Sequence, residues 1–160
     1  MKTCSFTGHR QIKTEHIKEL PALVARAINY AYDSGCRRFI AGGALGFDTV
    51  AAREIIKFRM HHPDVSLVLF LPCLAQDSKW KSQQRRLYEY LLSEANEVVY
   101  VSEEYTDGCM KERNLIIAKE ADILIAYVSR TNSGAAQTVR MARQLGCEIY
   151  NLYPALEETR

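Results

Sequence analysis

Short apolar runs alternate with longer segments of helical spacing along the whole chain, and this alternation most constrains the fold. The runs are TCSFTG, RRFIAGG, VSLVLFLP, EVVYVS, DILIAYV and CEIYNLYP. Several contain consecutive Val, Ile and Leu, which is typical of strands buried on both faces of a sheet. The pattern predicts an α/β fold: a Rossmann-like, doubly wound, mainly parallel sheet of about six strands with helices on both faces.

The segments between the runs predict the helices. Apolar residues recur at helical spacing from Ile17 onward, and Gly35 is placed to end the first helix. We expect helices over residues 14–34, 46–60, 80–93, 110–120 and 134–145, and a frayed tail or helical cap over ALEETR. At 160 residues and 48% hydrophobic content, the chain is expected to form one domain over residues 1–160.

Charge and composition exclude several classes of protein. The net charge is +2 and the basic residues form no long tract, since QQRRLY and CRRF contain only pairs, which argues against a nucleic-acid partner. The start, MKTCSFTGHR, lacks the apolar core of a signal peptide, and no apolar run is long enough for a bilayer. A cytoplasmic protein with no membrane partner is therefore expected. The five cysteines form no CxxC, which favours reduced thiols, and no metal-ligand spacing stands out.

The segments that follow the predicted strands are richer in glycine and polar donors than those that precede them. They are TGHR, GGALGFD, PCLAQDSKW, SEEYTDGCMKERN and SRTNSGAAQT, and three of them carry an Arg. The opposite connections, DSG, HHPD and SEAN, are plainer. Because ligands bind at the carboxyl ends of strands in open parallel sheets, this asymmetry predicts a site at that edge.

The segment NSGAAQT predicts an anion-binding helix start. Asn132 or Ser133 can cap a helix that begins near Gly134, and a cap alone is the simpler interpretation. The functional interpretation adds the backbone N–H groups from Gly134 to Ala136 and the hydroxyls of Ser133 and Thr138 as donors to a phosphate. The absence of GxxxxGK[ST] argues against a Walker-type nucleotide hydrolase.

The segment GGALGFD admits two compatible interpretations. Gly42, Gly43 and Gly46 would let backbone N–H groups approach a ribose or a second phosphate. Alternatively, they form a tight strand-to-helix turn with Asp48 near the helix start. The spacing is GGxxG and not the GxGxxG of dinucleotide folds.

Two arginines are candidates to pair with anionic oxygens. Arg10 follows a strand-end glycine, and Arg113 lies near a helix start, where a cation is disfavoured and needs a partner. The alternative for Arg113 is a salt bridge with an acidic residue of the preceding loop, Glu103, Glu104 or Asp107. Trp80, the only tryptophan, either stacks on a base or covers the core, and Phe47 is a second candidate to flank a base.

Three motifs together resemble a known family. SFTGHR, GGALGFD and SGAAQTVRMA occur in the order found in a YpsA-like family of small bacterial proteins of unknown function. That family belongs to the SLOG superfamily, with the LOG-type lysine-decarboxylase-like proteins and the Rossmann-like part of DprA. The resemblance covers nearly the whole chain and implies a nucleotide or nucleotide-derived ligand at the carboxyl edge. Superfamily relatives often form dimers, which makes a homodimer one expectation.

The resemblance to LOG enzymes, which hydrolyse the N-glycosidic bond of nucleoside monophosphates, is incomplete. In MKERN, Met110 and Arg113 match the MHxRK motif, whereas Lys111 and Asn114 replace its His and its Lys. In SGAAQTVRM, Gly134 and Thr138 match PGGxGTxxE, but Ala135 replaces the second Gly and the Glu position falls near Arg140 or Met141. The carboxylate that would stabilise a cationic sugar is therefore missing, and Asp48 or Glu112 would have to substitute for it.

These observations predict a nucleotide-binding protein, with a phosphoribohydrolase or related N-glycosidase as the alternative. No resident cofactor is expected beyond a nucleotide or nucleotide-sugar ligand, and no metal. The candidate catalytic residues are Arg113 and Asp48. The candidate ligand-binding residues are Thr7, Gly8, His9, Arg10, Gly42, Gly43, Gly46, Phe47, Asp48, Trp80, Arg113, Asn114, Asn132, Ser133, Gly134, Ala135 and Thr138.

Overall fold

One six-stranded sheet runs through the molecule, and all of its strand pairs are parallel. The structure is a computed structural model that describes residues 2–129 and 132–158. The strands are β1 (Lys2–Gly8), β2 (Cys36–Ala41), β3 (Ser66–Cys73), β4 (Glu97–Ser102), β5 (Ile123–Tyr127) and β6 (Glu148–Asn151). Their order across the sheet is β4-β3-β2-β1-β5-β6. The predicted fold class is confirmed.

Helices cover both faces of the sheet. They are α1 (Leu20–Asp33), α2 (Phe47–Arg59), α3 (Ser82–Glu94), α4 (Cys109–Glu120), α5 (Gly134–Gln144) and α6 (Tyr153–Glu158). One core cluster contains buried side chains of α1, α2, α3 and α6, and a second contains those of α4 and α5. The sheet is therefore doubly wound, as its continuous apolar strands indicated.

The start of the first helix differs from the prediction. Residues Thr14–His16 form a 3₁₀ turn, and α1 begins only at Leu20, with Pro21 in its first turn. Proline has no N–H to donate and restricts the residue before it, so it favours a helix start at this point. Ile17, which the helical spacing placed in the first helix, lies before α1 and is 55% exposed. Gly35 follows the end of α1 with a φ of 108°, as predicted.

The last predicted strand is shorter than its apolar run, because α6 follows directly. β6 ends at Asn151, and Leu156 of α6 is 1% exposed. Lys13 Nζ donates to Glu157 Oε1 at 2.8 Å and thereby holds α6 against the 3₁₀ turn. The helical alternative for the ALEETR segment is thus correct over its described part. Thr159 and Arg160 lie outside the described residues.

The order of the strands fixes where a ligand can enter. β1 pairs with β2 on one side and with β5 on the other, with Thr7 opposite Ala126 and Gly8 opposite Tyr127. The chain progresses outward from β1 to β4 and then returns to the other side of β1. The connections that leave β1 and β5 therefore diverge, and a crevice opens between the carboxyl ends of these strands.

Two expectations from composition concern membranes and thiols. Over residues 2–129 and 132–158, no helix combines the length and apolar character that a membrane crossing requires. All five cysteines are free, and Cys147 is the one that is not fully buried.

Candidate functional site

A pocket of about 270 Å³ occupies the crevice at the carboxyl edge of the sheet. We call it the rim pocket. It brings together the end of β1, the turn before α2, one face of α4 and the start of α5. Its lining residues are Phe6, Thr7, Gly8, His9, Arg10, Ala44, Asp48, Met110, Arg113, Asn114, Ile117, Ser133, Gly134 and Ala135.

Most of the candidate residues from the sequence line this one pocket. Those that do are Thr7, Gly8, His9, Arg10, Asp48, Arg113, Asn114, Ser133, Gly134 and Ala135. Those that do not are Gly42, Gly43, Gly46, Phe47, Trp80, Asn132 and Thr138. Arg130, the arginine of the β5 loop, lies outside the described residues.

The start of α5 forms one wall of the rim pocket. Ser133 is the N-cap, and its Oγ accepts a hydrogen bond from the Ala136 N–H at 3.1 Å. This hydrogen bond occupies the Ala136 N–H, which the sequence had predicted to be a third donor to a phosphate. The N–H groups of Gly134 and Ala135 belong to the first turn and cannot bond within the helix. The capped end therefore leaves two backbone donors and the positive end of the helix dipole at the pocket.

Thr138 and Phe47 do not reach the pocket, which corrects two of the predictions. Thr138 is fully buried and its Oγ1 donates to the Gly134 carbonyl at 3.0 Å, so its hydroxyl is not offered to a ligand. Phe47 is also fully buried, and its ring stacks on Tyr127 with centroids 5.8 Å apart. Because it belongs to the core, Phe47 cannot flank a base.

The glycine turn after β2 is shaped by packing behind the pocket. Gly46 has a φ of 81°, and a Cβ there would overlap the backbone carbonyl of Arg10. Gly43 has a φ of 71°, and a Cβ there would overlap the Leu71 side chain. Of this turn, Ala44 and Asp48 line the rim pocket. Gly42, Gly43 and Gly46 therefore shape the wall, whereas Ala44 and Asp48 face the pocket.

Arg113 is buried beneath the pocket and supports the same turn. It is 4% exposed, and its Nη1 donates to the carbonyls of Gly42 and Phe70. Its Nε donates to Asn114 Oδ1 at 2.8 Å. The acidic residues offered as alternative partners are all described, and none forms a salt bridge with Arg113: they are Glu103, Glu104 and Asp107.

Asp48 is the buried carboxyl group of the pocket. It is 6% exposed, and its Oδ2 accepts from the Ala44 N–H at 3.2 Å. Burial raises the pKa of Asp48 to about 6, although the positive charge of Arg113 and the Ala44 hydrogen bond act in the opposite direction. Burial also lowers the pKa of Arg113, which the charge of Asp48 partly restores. The pocket floor thus holds a carboxyl group that can exchange a proton near neutral pH.

Arg10 and His9 bring two different kinds of donor to the mouth of the pocket. Arg10 is exposed, and within residues 2–129 and 132–158 its guanidinium has no ion-pair partner. The Ser129 N–H donates to His9 Nε2 at 2.8 Å, which places the proton of the neutral ring on Nδ1. Burial lowers the pKa of His9, so the neutral form is favoured.

Trp80 lies beside the rim pocket, in the wall of a hollow of about 600 Å³. We call this the Trp80 hollow. It shares Arg10 and Met110 with the rim pocket, and its lining residues are Arg10, Pro72, Cys73, Ala75, Gln76, Ser78, Lys79, Trp80, Tyr105 and Met110. One side of the indole packs against Tyr88, with ring centroids 5.1 Å apart. Trp80 is thus half-buried and does not belong wholly to the core.

Asn132 and Arg140 lie on the outer side of α5. Asn132 is exposed, and its Oδ1 accepts from Arg140 Nη2 at 3.1 Å. Neither residue lines the rim pocket. Arg140 lies near the position that the Glu occupies in the LOG motif, but it does not line this pocket. The pocket therefore receives neither a carboxylate nor a positive charge from that position.

The sequence interpretation missed four lining residues. Met110 and Ile117 share one face of α4 with Arg113 and Asn114, and their spacing along the helix was the signal that would have identified them. Ala44 was inside a motif already selected. Phe6 is a core residue of β1, and nothing in the sequence distinguishes it from other buried phenylalanines.

The described part of the chain holds no group of three or more His, Cys, Asp or Glu side chains arranged to bind a metal ion. The rim pocket offers backbone amides, guanidinium groups, an imidazole, hydroxyl groups and one buried carboxyl group.

Comparison with known sequences identifies the family. The YpsA family model, described as the YspA SLOG family, matches residues 5–151. The UPF0398 proteins of Bacillus thuringiensis (strain Al Hakam) and Bacillus cereus (strain AH187) are each 25% identical to this chain over 162 residues. Each of these alignments covers 96% of this chain and 88% of the relative.

Solved structures share the fold at lower identity. DprA from Streptococcus pneumoniae superposes with a TM-score of 0.65 and 16% identity, over 94% of this chain and 50% of that one. DprA from Helicobacter pylori gives 0.63 and 18%, over 92% and 63%. The protein TM1055 gives 0.59 and 15%, over 93% and 72%. This chain thus spans half of the first protein, and the likeness concerns the fold alone. Because the family model covers most of its length, the chain belongs to the YpsA family of SLOG proteins.

Proposed function

We propose that this is a cytoplasmic protein that binds a nucleotide or nucleotide derivative, with a phosphate of the ligand in the rim pocket. The observation that carries the proposal is that the capped start of α5, Arg10 and Arg113 all line a single pocket. A helix N-terminus and guanidinium groups both favour negative charge. These three features come from distant parts of the chain, so no single helix or loop explains why they line the same pocket. A bound anion would explain it.

The phosphate would lie against the first N–H groups of α5. The Ser133 Oγ accepts from Ala136, so its hydroxyl proton remains available to a phosphate oxygen. Arg10 would approach from the mouth of the pocket. Arg113, whose Nη1 and Nε are occupied, would contribute its buried positive charge and its Nη2.

Substitutions at Gly134 test this placement. A Cβ at Gly134 would lie 3.6 Å from Asn114 Nδ2, an ordinary contact, so the fold tolerates a side chain there. Gly134→Asp adds a carboxylate where the phosphate would lie, and we expect affinity for AMP, ADP-ribose or NAD to fall at least about tenfold in calorimetric titration. Gly134→Ala is the matched control and should retain most of the affinity. No binding by the unmodified protein, or equal affinities in all three proteins, would refute the proposal.

A second candidate function is hydrolysis of an N-glycosidic bond in a nucleoside monophosphate. The pKa of Asp48, about 6, favours it, because a general acid or base works best when its pKa is near the working pH. The assay is release of free base from nucleoside monophosphates. Asp48→Asn should abolish release, whereas Asp33→Asn, the same change at the exposed end of α1, should not. Absence of turnover in the unmodified protein would leave binding as the function.

Nucleic acid has to be included among the ligands tested. The argument against it rested on a net charge of +2 and on the absence of a long basic tract. The H. pylori DprA structure, which shares this fold, is described by its single-stranded DNA binding mode. DNA phosphates could use the same donors. A single-stranded oligonucleotide that binds more tightly than the nucleotides, with a steep loss of affinity as salt rises, would replace the nucleotide proposal.

A further inference from the structure

We infer that the Trp80 hollow holds the base of a nucleotide whose phosphate occupies the rim pocket. The inference rests on the proposed function and adds the position and chemistry of the second half of the ligand. It also makes Arg10 the residue that contacts the ligand between its two ends, because Arg10 lines both cavities.

The sizes of the two cavities support a divided ligand. Pockets for drug-sized ligands span roughly 300–1,000 Å³. The rim pocket, at about 270 Å³, lies just below that range and suits a phosphate with its sugar. The Trp80 hollow, at about 600 Å³, has room for an aromatic base. Arg10 and Met110 belong to the walls of both, so a single small molecule can extend from one to the other.

The wall of the Trp80 hollow is suited to a base. Trp80 and Tyr105 provide aromatic surface, and Tyr105 is 69% exposed with its ring open to a ligand. A flat base stacks favourably on such rings, and the stacking energy depends little on which base it is. Met110 adds a polarizable side chain that adapts to a ring edge.

A buried amide in the same wall offers an unused acceptor. Gln76 Nε2 donates to the Gly43 carbonyl at 3.2 Å and to Tyr88 Oη at 3.0 Å. Gln76 Oε1 is buried and has no hydrogen-bond partner within the described ranges. Buried polar atoms normally have a partner, and an N–H donor on a base would supply one once the Gln76 side chain turns toward the hollow. Gln76 also ties the hollow to the glycine turn, which borders the rim pocket.

The single tryptophan gives a direct readout of occupancy. AMP and ribose 5-phosphate share the phosphate and the ribose and differ in the base. We expect AMP to change the fluorescence of Trp80 and ribose 5-phosphate to leave it unchanged while still binding by calorimetry. We expect AMP to bind more tightly than ribose 5-phosphate by roughly 5- to 150-fold, the range that base stacking contributes.

Two variants complete the test. Tyr105→Ala removes an exposed ring, and Trp80→Phe makes a smaller change to the packing on Tyr88. Both variants should weaken the binding of AMP more than the binding of ribose 5-phosphate. If AMP and ribose 5-phosphate bind alike, with no change in Trp80 fluorescence and no effect of either variant, the base lies elsewhere and only this inference fails. If none of AMP, GMP, CMP, UMP, ADP-ribose, NAD and ribose 5-phosphate binds, the proposed function fails and this inference fails with it.

Discussion

Asp48 gives the rim pocket a carboxyl group that titrates near neutral pH. Its carboxyl group is buried beside Arg113 and has a pKa of about 6. Above that pH, the group is ionised and its negative charge opposes an anion in the pocket. Below it, the group is neutral and the charges of Arg10 and Arg113 act unopposed.

We therefore predict that the affinity for ADP-ribose decreases as pH rises through about 6. ADP-ribose is suitable because its pyrophosphate diester does not titrate in this range. The measurement is calorimetric titration on both sides of the transition. Asp48→Asn should remove the pH dependence, and Asp33→Asn should keep it. An unchanged slope in Asp48→Asn would assign the titration to another group.

Gly46 lies where the backbone leaves no room for a side chain. It has a φ of 81°, and a Cβ would overlap the Arg10 carbonyl. We predict that Gly46→Ala lowers the free energy of unfolding by roughly 2–4 kcal/mol, through strain and displacement of the loop after β1. Gly108→Ala is the control: Gly108 precedes α4 with a φ of −101° and has no atom within 4 Å of its Cβ position.

Chemical denaturation measures both variants. Gly108→Ala should change the free energy of unfolding by less than about 1 kcal/mol, because alanine is a poorer N-cap than glycine but meets no neighbouring atom. Similar values for the two variants would mean that the turn before α2 adjusts without cost, and that Gly46 does not fix the pocket wall.

At the scale of elements, α6 is a structural part of the domain. Leu156 is 1% exposed, and it belongs to the core cluster shared with α1 and α2. We predict that Leu156→Ala lowers the free energy of unfolding by about 2–4 kcal/mol, as expected for a buried leucine. Leu145→Ala, at a leucine that is 57% exposed, should have an effect below about 0.5 kcal/mol. Equal small effects in denaturant titrations would show that α6 detaches without cost.

The helices and strands also show which parts of this fold could be predicted from the sequence. The six strands and five long helices follow from apolar runs, helical spacing and the positions of Gly35 and the polar loops, which are local signals. The late start of α1 depends on Pro21, and the end of β6 depends on the packing of Leu156. The spacing at Ile17 was helical, but its side chain is exposed because α1 begins three residues later.

The candidate site was predictable where it depended on topology. Loops after parallel strands must meet at one edge, which correctly grouped Arg10, Asp48, Arg113 and Gly134. The direction in which a side chain points within those loops was not predictable. Phe47 and Thr138 lie in the selected motifs but face the core, because their neighbours in space come from β1 and from the helix itself.

At the scale of the whole molecule, the interior strands of the sheet are better covered than its two edge strands. β5 is buried along its whole length, whereas β4 and β6 at the two edges are only partly covered. We predict that the backbone amide hydrogens of β1 and β5 exchange for deuterium at least about tenfold more slowly than those of β4 and β6. Edge strands open more easily than interior strands. Hydrogen exchange followed by mass spectrometry measures this. Uniform protection across the sheet would indicate a single opening unit.

The place of β1 between β2 and β5 has a consequence for biosynthesis. During translation, β1 leaves the ribosome first and can pair early with β2, but its other neighbour comprises residues 123–127. The wall contributed by α5 emerges later still. A nascent chain therefore cannot assemble the rim pocket until α5 has left the ribosome, long after β1 and β2 have been made.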